Sequence, residues 1–159
     1  MHSNNSSYTI WVDADSCPTP VRELIIRFAF RLQRKTIFVA NREIPIPKQE
    51  LFQMIVTATT EGAADDYIAE HCHENDFAIT RDIPLAARLI EKKLTVINDR
   101  GFVFTVENIR EKLSIRNFNF DLAQQGIQGD KSSSYGKKEL SLFANCFDRE
   151  LQKKEKLCR

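Results

Sequence analysis

The 159-residue chain has no apolar run near the roughly 20 residues needed to cross a bilayer, so no membrane-spanning helix is expected. Its start also lacks the basic and apolar segments of a secretory signal. MHSNNSSY reads instead as a polar tail over residues 1–7, and the protein is expected in the cytoplasm. CxxC pairs are absent: the four cysteines, Cys17, Cys72, Cys146 and Cys158, are scattered without a pairing pattern, which suits reduced thiols better than a disulfide frame. There are three histidines to serve as bases, and the gap from Cys17 to Arg22 is one residue short of the spacing that cradles phosphate in cysteine phosphatases. A Cys–His nucleophile therefore has little support. Net charge is only +1, so a nucleic-acid role has to come from a local patch, and no basic stripe with interleaved aromatics stands out.

What remains is globular in character, with 42% apolar and 28% charged residues. The length suits one packed core, expected over residues 8–154. Short apolar runs alternate with amphipathic helical patterns, which predicts an α/β fold of βαβ units on a mostly parallel sheet. YTIWVDA, TIFVAN, LFQMIVTAT, DFAIT and LTVIND read as strands. VRELIIRFAFRLQRK, EGAADDYIAEHCHEN and IPLAARLIEKK read as helices, the last with Pro84 in its first turn. The two prolines of REIPIPKQE exclude a regular element there. FVFTVENIREKLSIRNFNFDLAQ begins extended and turns helical with Thr105 as N-cap, GIQGDKSSSYGKKE reads as a loop, and a last helix is expected from Glu139 to about Lys154.

IWVDADSCPTP raises the chemical question. Asp13 and Asp15 close the first strand, Asp65 and Asp66 open the helix after the third, and Asp82 follows the fourth in AITRD. In an open parallel sheet, ligands bind beyond the carboxyl ends of the strands, so these five acids are expected at one edge. Carboxylates gathered without a cationic partner are costly unless a hard divalent cation, Mg²⁺ or Mn²⁺, offsets their repulsion. Each acid also has a structural explanation: Asp65 and Asp66 suit a first helical turn, and Asp82 suits an N-cap. His71-Cys72-His73 has the composition of a zinc site, but neighbours at i and i+2 on a helix face different ways.

The runs VDADSCP, ADDYIAE, AITRDIPLAARLIEK, RGFVFTVENIREKLSIR and LFANCFDREL, in this order and spacing over about residues 8 to 153, resemble the YaiI/YqxD family of bacterial proteins, which is similar to PIN-like domains. The resemblance implies a PIN-like three-layer domain, a central mostly parallel sheet flanked by helices, with an acidic pocket like that of metal-dependent ribonucleases. The family's acidic positions fall on Asp13, Asp15, Asp65, Asp66 and Asp82, and its Arg-Gly turn on Arg100 and Gly101. Asp99 stands where the family usually has proline, and QGDKSSSYGKKE replaces a Gly/Pro-rich approach to the last helix.

The leading expectation is a Mg²⁺- or Mn²⁺-dependent nuclease, with RNA ahead of DNA as the substrate. In it, Asp13, Asp66 and Asp82 are the metal ligands, Asp15 and Asp65 position water or ligands behind them, and Arg81 and Arg100 hold phosphate. Asp13, Asp15, Asp66 and Asp82 form the expected catalytic set. A second reading is a phosphohydrolase with Asp13 as nucleophile and Asp15 as acid, disfavoured by Cys17 where that class has Thr or Val. A third is a non-catalytic RNA-binding or regulatory module of the same fold.

Overall fold

The structure is a computed structural model that describes residues 7–126 and 134–158. Residues 1–6 of the expected tail and 127–133 of the expected loop lie outside the described residues. Among those described, six strands form one sheet: β1 (Ile10–Asp13), β2 (Thr36–Ala40), β3 (Phe52–Val56), β4 (Phe77–Ile79), β5 (Thr95–Ile97) and β6 (Val103–Phe104). They lie in the order β3-β2-β1-β4-β5-β6, parallel except for β6, which runs antiparallel to β5. The chain builds outward from β1 in one direction, then returns to β1 and builds outward in the other. The order reverses between β1 and β4, and a crevice opens beyond their carboxyl ends.

Side chains alternate across the sheet, and each face carries its own core. Ile10 and Val12 of β1, with Phe77 and Ile79 of β4, pack against α1 (Thr19–Leu32) and α5 (Lys137–Leu157). Trp11 and Ala78 point the other way, toward α2 (Ala63–His71), α3 (Ile83–Glu91) and the start of α4 (Ile109–Gln124). This three-layer α/β arrangement explains why β1, β2 and β4 are apolar almost throughout, since a strand covered on both faces has no solvent side. Asp13 falls on the α2/α3 face, two residues beyond Trp11, at the point where the reversal opens the layer.

Several boundaries differ from the sequence expectation for identifiable reasons. The second helix pattern, EGAADDYIAEHCHEN, ends at His71, because Cys72 is extended and Asn75 turns left-handed at φ 73°. Asn75 and Asp76 instead lead the chain into β4. Thr105 does cap a turn, its Oγ1 accepting from Asn108 N at 3.1 Å while Asn108 Oδ1 accepts from Thr105 N at 2.8 Å, but regular helix begins only at Ile109. α5 starts two residues before Glu139, whose carboxylate accepts from Gly136 N at 2.7 Å, and it continues past Lys154 to Leu157. The proline-bearing segment between β2 and β3 is irregular, as expected. None of the helices among the described residues is long and apolar enough to cross a membrane.

Candidate functional site

The crevice at the strand-order reversal is a cavity of about 390 Å³, lined by Asp13, Asp15, Asn41, the 58–62 loop, Asp65, Arg81 and Asp82 among others. Asp13 closes β1 and is 8% exposed. Its Oδ2 accepts from the Thr80 hydroxyl at 2.8 Å, and Thr80 Oγ1 in turn accepts from Asp82 N at 3.0 Å. One threonine at the end of β4 thus ties together the acids that terminate two neighbouring strands. Asp82 caps α3, with Oδ1 accepting from Leu85 N at 2.9 Å, and Pro84 suits the first turn because that turn needs no donor there. Asp15 sits on a 3-10 turn after β1, where both carboxylate oxygens accept from Asn41 N, at 3.0 and 3.1 Å. Asp65 enters from the first turn of α2.

Electrostatically the cluster is strained. Burial pushes the Asp13 carboxyl up to about 6; the Thr80 hydrogen bond opposes that, while the charges of Asp82 and Asp15 add to it. Asp65 is pushed up to about 7, first by burial, then by the charges of Asp82 and Asp13 and by a hydrogen bond shared with Asp82. Arg81 lines the cavity and its charge opposes the rise at Asp13, but its guanidinium is paired directly with the buried Asp99 carboxylate.

The expected residues do not all arrive in the expected places. Asp13, Asp15, Asp65 and Asp82 line one cavity, whereas Asp66 does not: it points to solvent, 60% exposed, and pairs with Arg88 at 2.8 Å. The order expected for the pair, Asp66 toward the pocket with Asp65 behind it, is reversed in placement. Arg100 does not line the cavity either, and its guanidinium lies 5.5 Å from the Tyr135 ring centre. The turn that carries it is held by Asn98 Oδ1, which accepts from Arg100 N and Phe102 N, both at 2.9 Å. Gly101 in this turn has φ 82°, and a Cβ there would meet the Leu142 carbonyl oxygen at 2.5 Å. The turn is thus clamped to α5 and admits only glycine.

His71 and His73 do not form a site. His71 stacks on Tyr67 and contacts its carbonyl through Nδ1 at 2.8 Å, while the His73 side chain is 87% exposed. Burial pushes the Cys17 thiol up to about 12, so it is not a thiolate at neutral pH.

Sequence reasoning missed Thr80, Asn41 and the role of Asp99. Thr80 carried a readable signal, being a polar residue in register with Ala78 at the end of an otherwise apolar strand. Asn41 acts through its backbone, which no side-chain pattern reveals. Asp99 is held by Arg81, and its carbonyl accepts from Tyr135 Oη at 2.7 Å, so this residue joins the site to the approach to α5.

The donor set has the chemistry of a hard divalent cation, carboxylate oxygens only. Among the described residues no three acidic, imidazole or thiol groups are disposed to hold one ion. A cation held there would be bound through one or two carboxylates with its waters retained.

The profile of the family described as "Uncharacterized BCR, YaiI/YqxD family" matches residues 11–153. Curated relatives include a UPF0178 protein of Treponema denticola, 52% identical over 91% of this chain and 92% of its own. Another, from Psychromonas ingrahamii, is 43% identical over 93% of this chain and 98% of its own, and one from Treponema pallidum is 45% identical over 95% and 85%. No solved structure matches the chain.

Proposed function

The chain belongs to the YaiI/YqxD family, and from that premise we propose that it is a divalent-cation-dependent phosphodiesterase acting on RNA, with Asp13, Asp65 and Asp82 at its centre. The observation that carries this reading is the gathering of those three carboxylates in one cavity at the strand-order reversal, where burial and mutual repulsion raise Asp13 and Asp65 and Arg81 is paired directly with Asp99. Stability alone would favour a cation or an apolar residue in such a place. The PIN-like resemblance supplies RNA as the substrate class.

One or two of the carboxylates of Asp13, Asp65 and Asp82 would hold the ion, Mg²⁺ or Mn²⁺, with its waters retained. Such an ion supplies a Lewis acid that lowers the pKa of a water and offsets charge building on phosphorus. The chain's own residues divide the remaining work. Thr80 fixes the Asp13 carboxylate, Asn41 N fixes Asp15, and Asp65, raised to about 7, suits proton transfer near neutral pH. Arg81, 47% exposed and at the rim, suits a neighbouring phosphate once it exchanges Asp99 for it.

Asp13→Asn keeps the shape and the Thr80 hydrogen bond while removing one charge. Cleavage of single-stranded RNA in Mn²⁺ should fall on the order of 10²-fold or more with the melting curve unchanged or raised. Equal cleavage by both proteins would trace the activity to a contaminant and overturn the reading.

The absence of a three-donor grouping among the described residues favours one alternative, a cation-responsive RNA-binding module without turnover. It predicts RNA binding with no cleavage by either protein.

A further inference from the structure

On one side the sheet ends at β3, which pairs with β2 and has no strand beyond it. The Leu51 carbonyl accepts from Thr36 N at 2.9 Å and Thr57 N donates to the Ala40 carbonyl at 2.8 Å, so the odd-numbered residues of this stretch direct their backbone groups at β2. The even-numbered residues Phe52, Met54 and Val56 therefore direct theirs outward. Phe52 N is spent on the Gln49 carbonyl at 3.0 Å. What is left at the edge is the Phe52 carbonyl and both backbone groups of Met54 and of Val56, with no backbone partner among the described residues. FQMIV also carries neither charge nor proline, the devices that usually close an edge to further strands.

The face that these residues share is apolar. Phe52 is buried and Met54 half-buried against the α1/α5 core, and with Ile44 and Ile46 they line a groove of about 600 Å³. Val56, next on that face, is 53% exposed and lies outside the groove. A second β3 laid antiparallel, Met54 against Met54, lets the two methionines exchange both backbone bonds and brings each Phe52 carbonyl to the Val56 N–H of the other copy. The same register sets the Val56 side chain of one copy beside Phe52 of the other, at the groove. The ends agree in charge. Because residues 43–49 run back from the end of β2 to the start of β3, Glu43 and Lys48 stand at opposite ends of the groove, and a two-fold at Met54 turns each Lys48 toward the Glu43 of the other copy. An unrelated strand could meet the backbone groups, but the apolar side chain over the groove and the crossed charges both come from this sequence paired with itself. α4 is exposed beyond Leu113 as well, with Ile115 at 48% and Phe118 at 63%, but a helix face has no free backbone groups to match and names no occupant.

We infer that β3 is a dimerisation edge that pairs antiparallel with β3 of a second copy about Met54, joining the two sheets into one. The carboxyl edges then point in opposite directions, each acidic cavity stays open, and the dimer stands apart from the phosphodiesterase reading.

The test is sedimentation velocity from about 1 μM to about 1 mM protein, with backbone amide exchange followed in the dilute and the concentrated sample. Expected is a dimer whose Met54 and Val56 N–H groups gain protection on concentration. Val56→Lys, at an exposed site where the melting curve should not move, weakens it roughly tenfold or more. Lys48→Glu weakens it too, adding Glu43→Lys restores it, and Phe118→Ala leaves it unchanged. A monomer throughout overturns the inference, and so does a dimer in which the Met54 and Val56 amides exchange alike in both samples. A dimer lost in Phe118→Ala and kept in Val56→Lys assigns the contact to α4 and overturns it as well.

Discussion

The two edges of the sheet both bury aspartate, and they treat it in opposite ways. At the amino edge, Asp76 is 4% exposed and accepts from Trp11 Nε1 at 2.9 Å, Thr9 N at 3.0 Å and His73 N at 2.9 Å. Nearby, Glu155 accepts from Tyr8 Oη at 2.7 Å and from Arg34 through two bonds of 2.7 and 3.0 Å, fastening α5 to the end of α1 and the start of β1. At the carboxyl edge, Asp13 is buried to a similar degree but has one hydroxyl donor and two acidic neighbours. The amino edge saturates Asp76 and Glu155 with donors, whereas Asp13 at the carboxyl edge is left with one hydroxyl beside an Asp99 that is paired with Arg81. Burial alone therefore does not mark a functional acid; burial with the donors left out does.

The largest effect that separates the edges is on stability. Asp76→Ala leaves an indole N–H and two backbone N–H groups without their acceptor next to the sheet, and should cost roughly 3 kcal/mol or more in chemical denaturation. Asp13→Asn, at a similarly buried position, should cost nothing measurable. If the two variants were equally destabilised, the contrast between the edges would collapse.

The next effect is in pH. The Asp13 carboxyl titrates at about 6 in the fold against an ordinary 3.8, so between those values the native state binds more protons than the unfolded one. Stability from this group is fully present below about pH 4 and is lost as pH rises through 6, by at most about 3 kcal/mol. Asp65, raised in the same direction, extends the loss toward 7. Unfolding free energies measured from pH 4 to 8 without metal should decline over that window, and Asp13→Asn should flatten the decline. A slope the variant leaves unchanged would mean that the Asp13 charge is not the source.

Much of this was legible before any coordinates. The apolar runs of β1, β2 and β4 announce strands covered on both faces, and the strand-end rule brings Asp13, Asp15 and Asp82 to one edge. What stayed hidden depends on phase and on partners. Adjacent residues on a helix differ by about 100° in direction, so choosing between Asp65 and Asp66 needs the buried face. ADDYIAE contained the hint: Asp65 has Ile68 and Ala69 at i+3 and i+4, whereas Asp66 has Ala69 and Glu70. Asp76 gave no sign, because two of its three donors, Thr9 N and Trp11 Nε1, come from residues far away in sequence. The overhang of α4 was hidden by its own helical propensity, which continues past the point where packing stops.

The sharpest test lies within that adjacent pair and is the smallest in energy. If a cation sits among Asp13, Asp65 and Asp82, millimolar Mg²⁺ or Mn²⁺ should stabilise the wild type by about 1 to 3 kcal/mol at roughly ten to a hundred times its dissociation constant. Asp65→Asn removes an oxygen donor from the cavity and should abolish most of that gain while relieving repulsion in the metal-free protein. Asp66→Asn, one residue on, breaks only an exposed pair with Arg88, worth about 0 to 1 kcal/mol, and should leave the metal-dependent shift as it is. Both substitutions delete one negative charge from the same helical turn, so a long-range loss of field predicts equal effects. Coordination inside the cavity predicts unequal ones, because only the Asp65 side chain reaches it. Thermal shifts of the two variants across a Mn²⁺ titration decide the matter, and matching responses would remove the metal from this pocket.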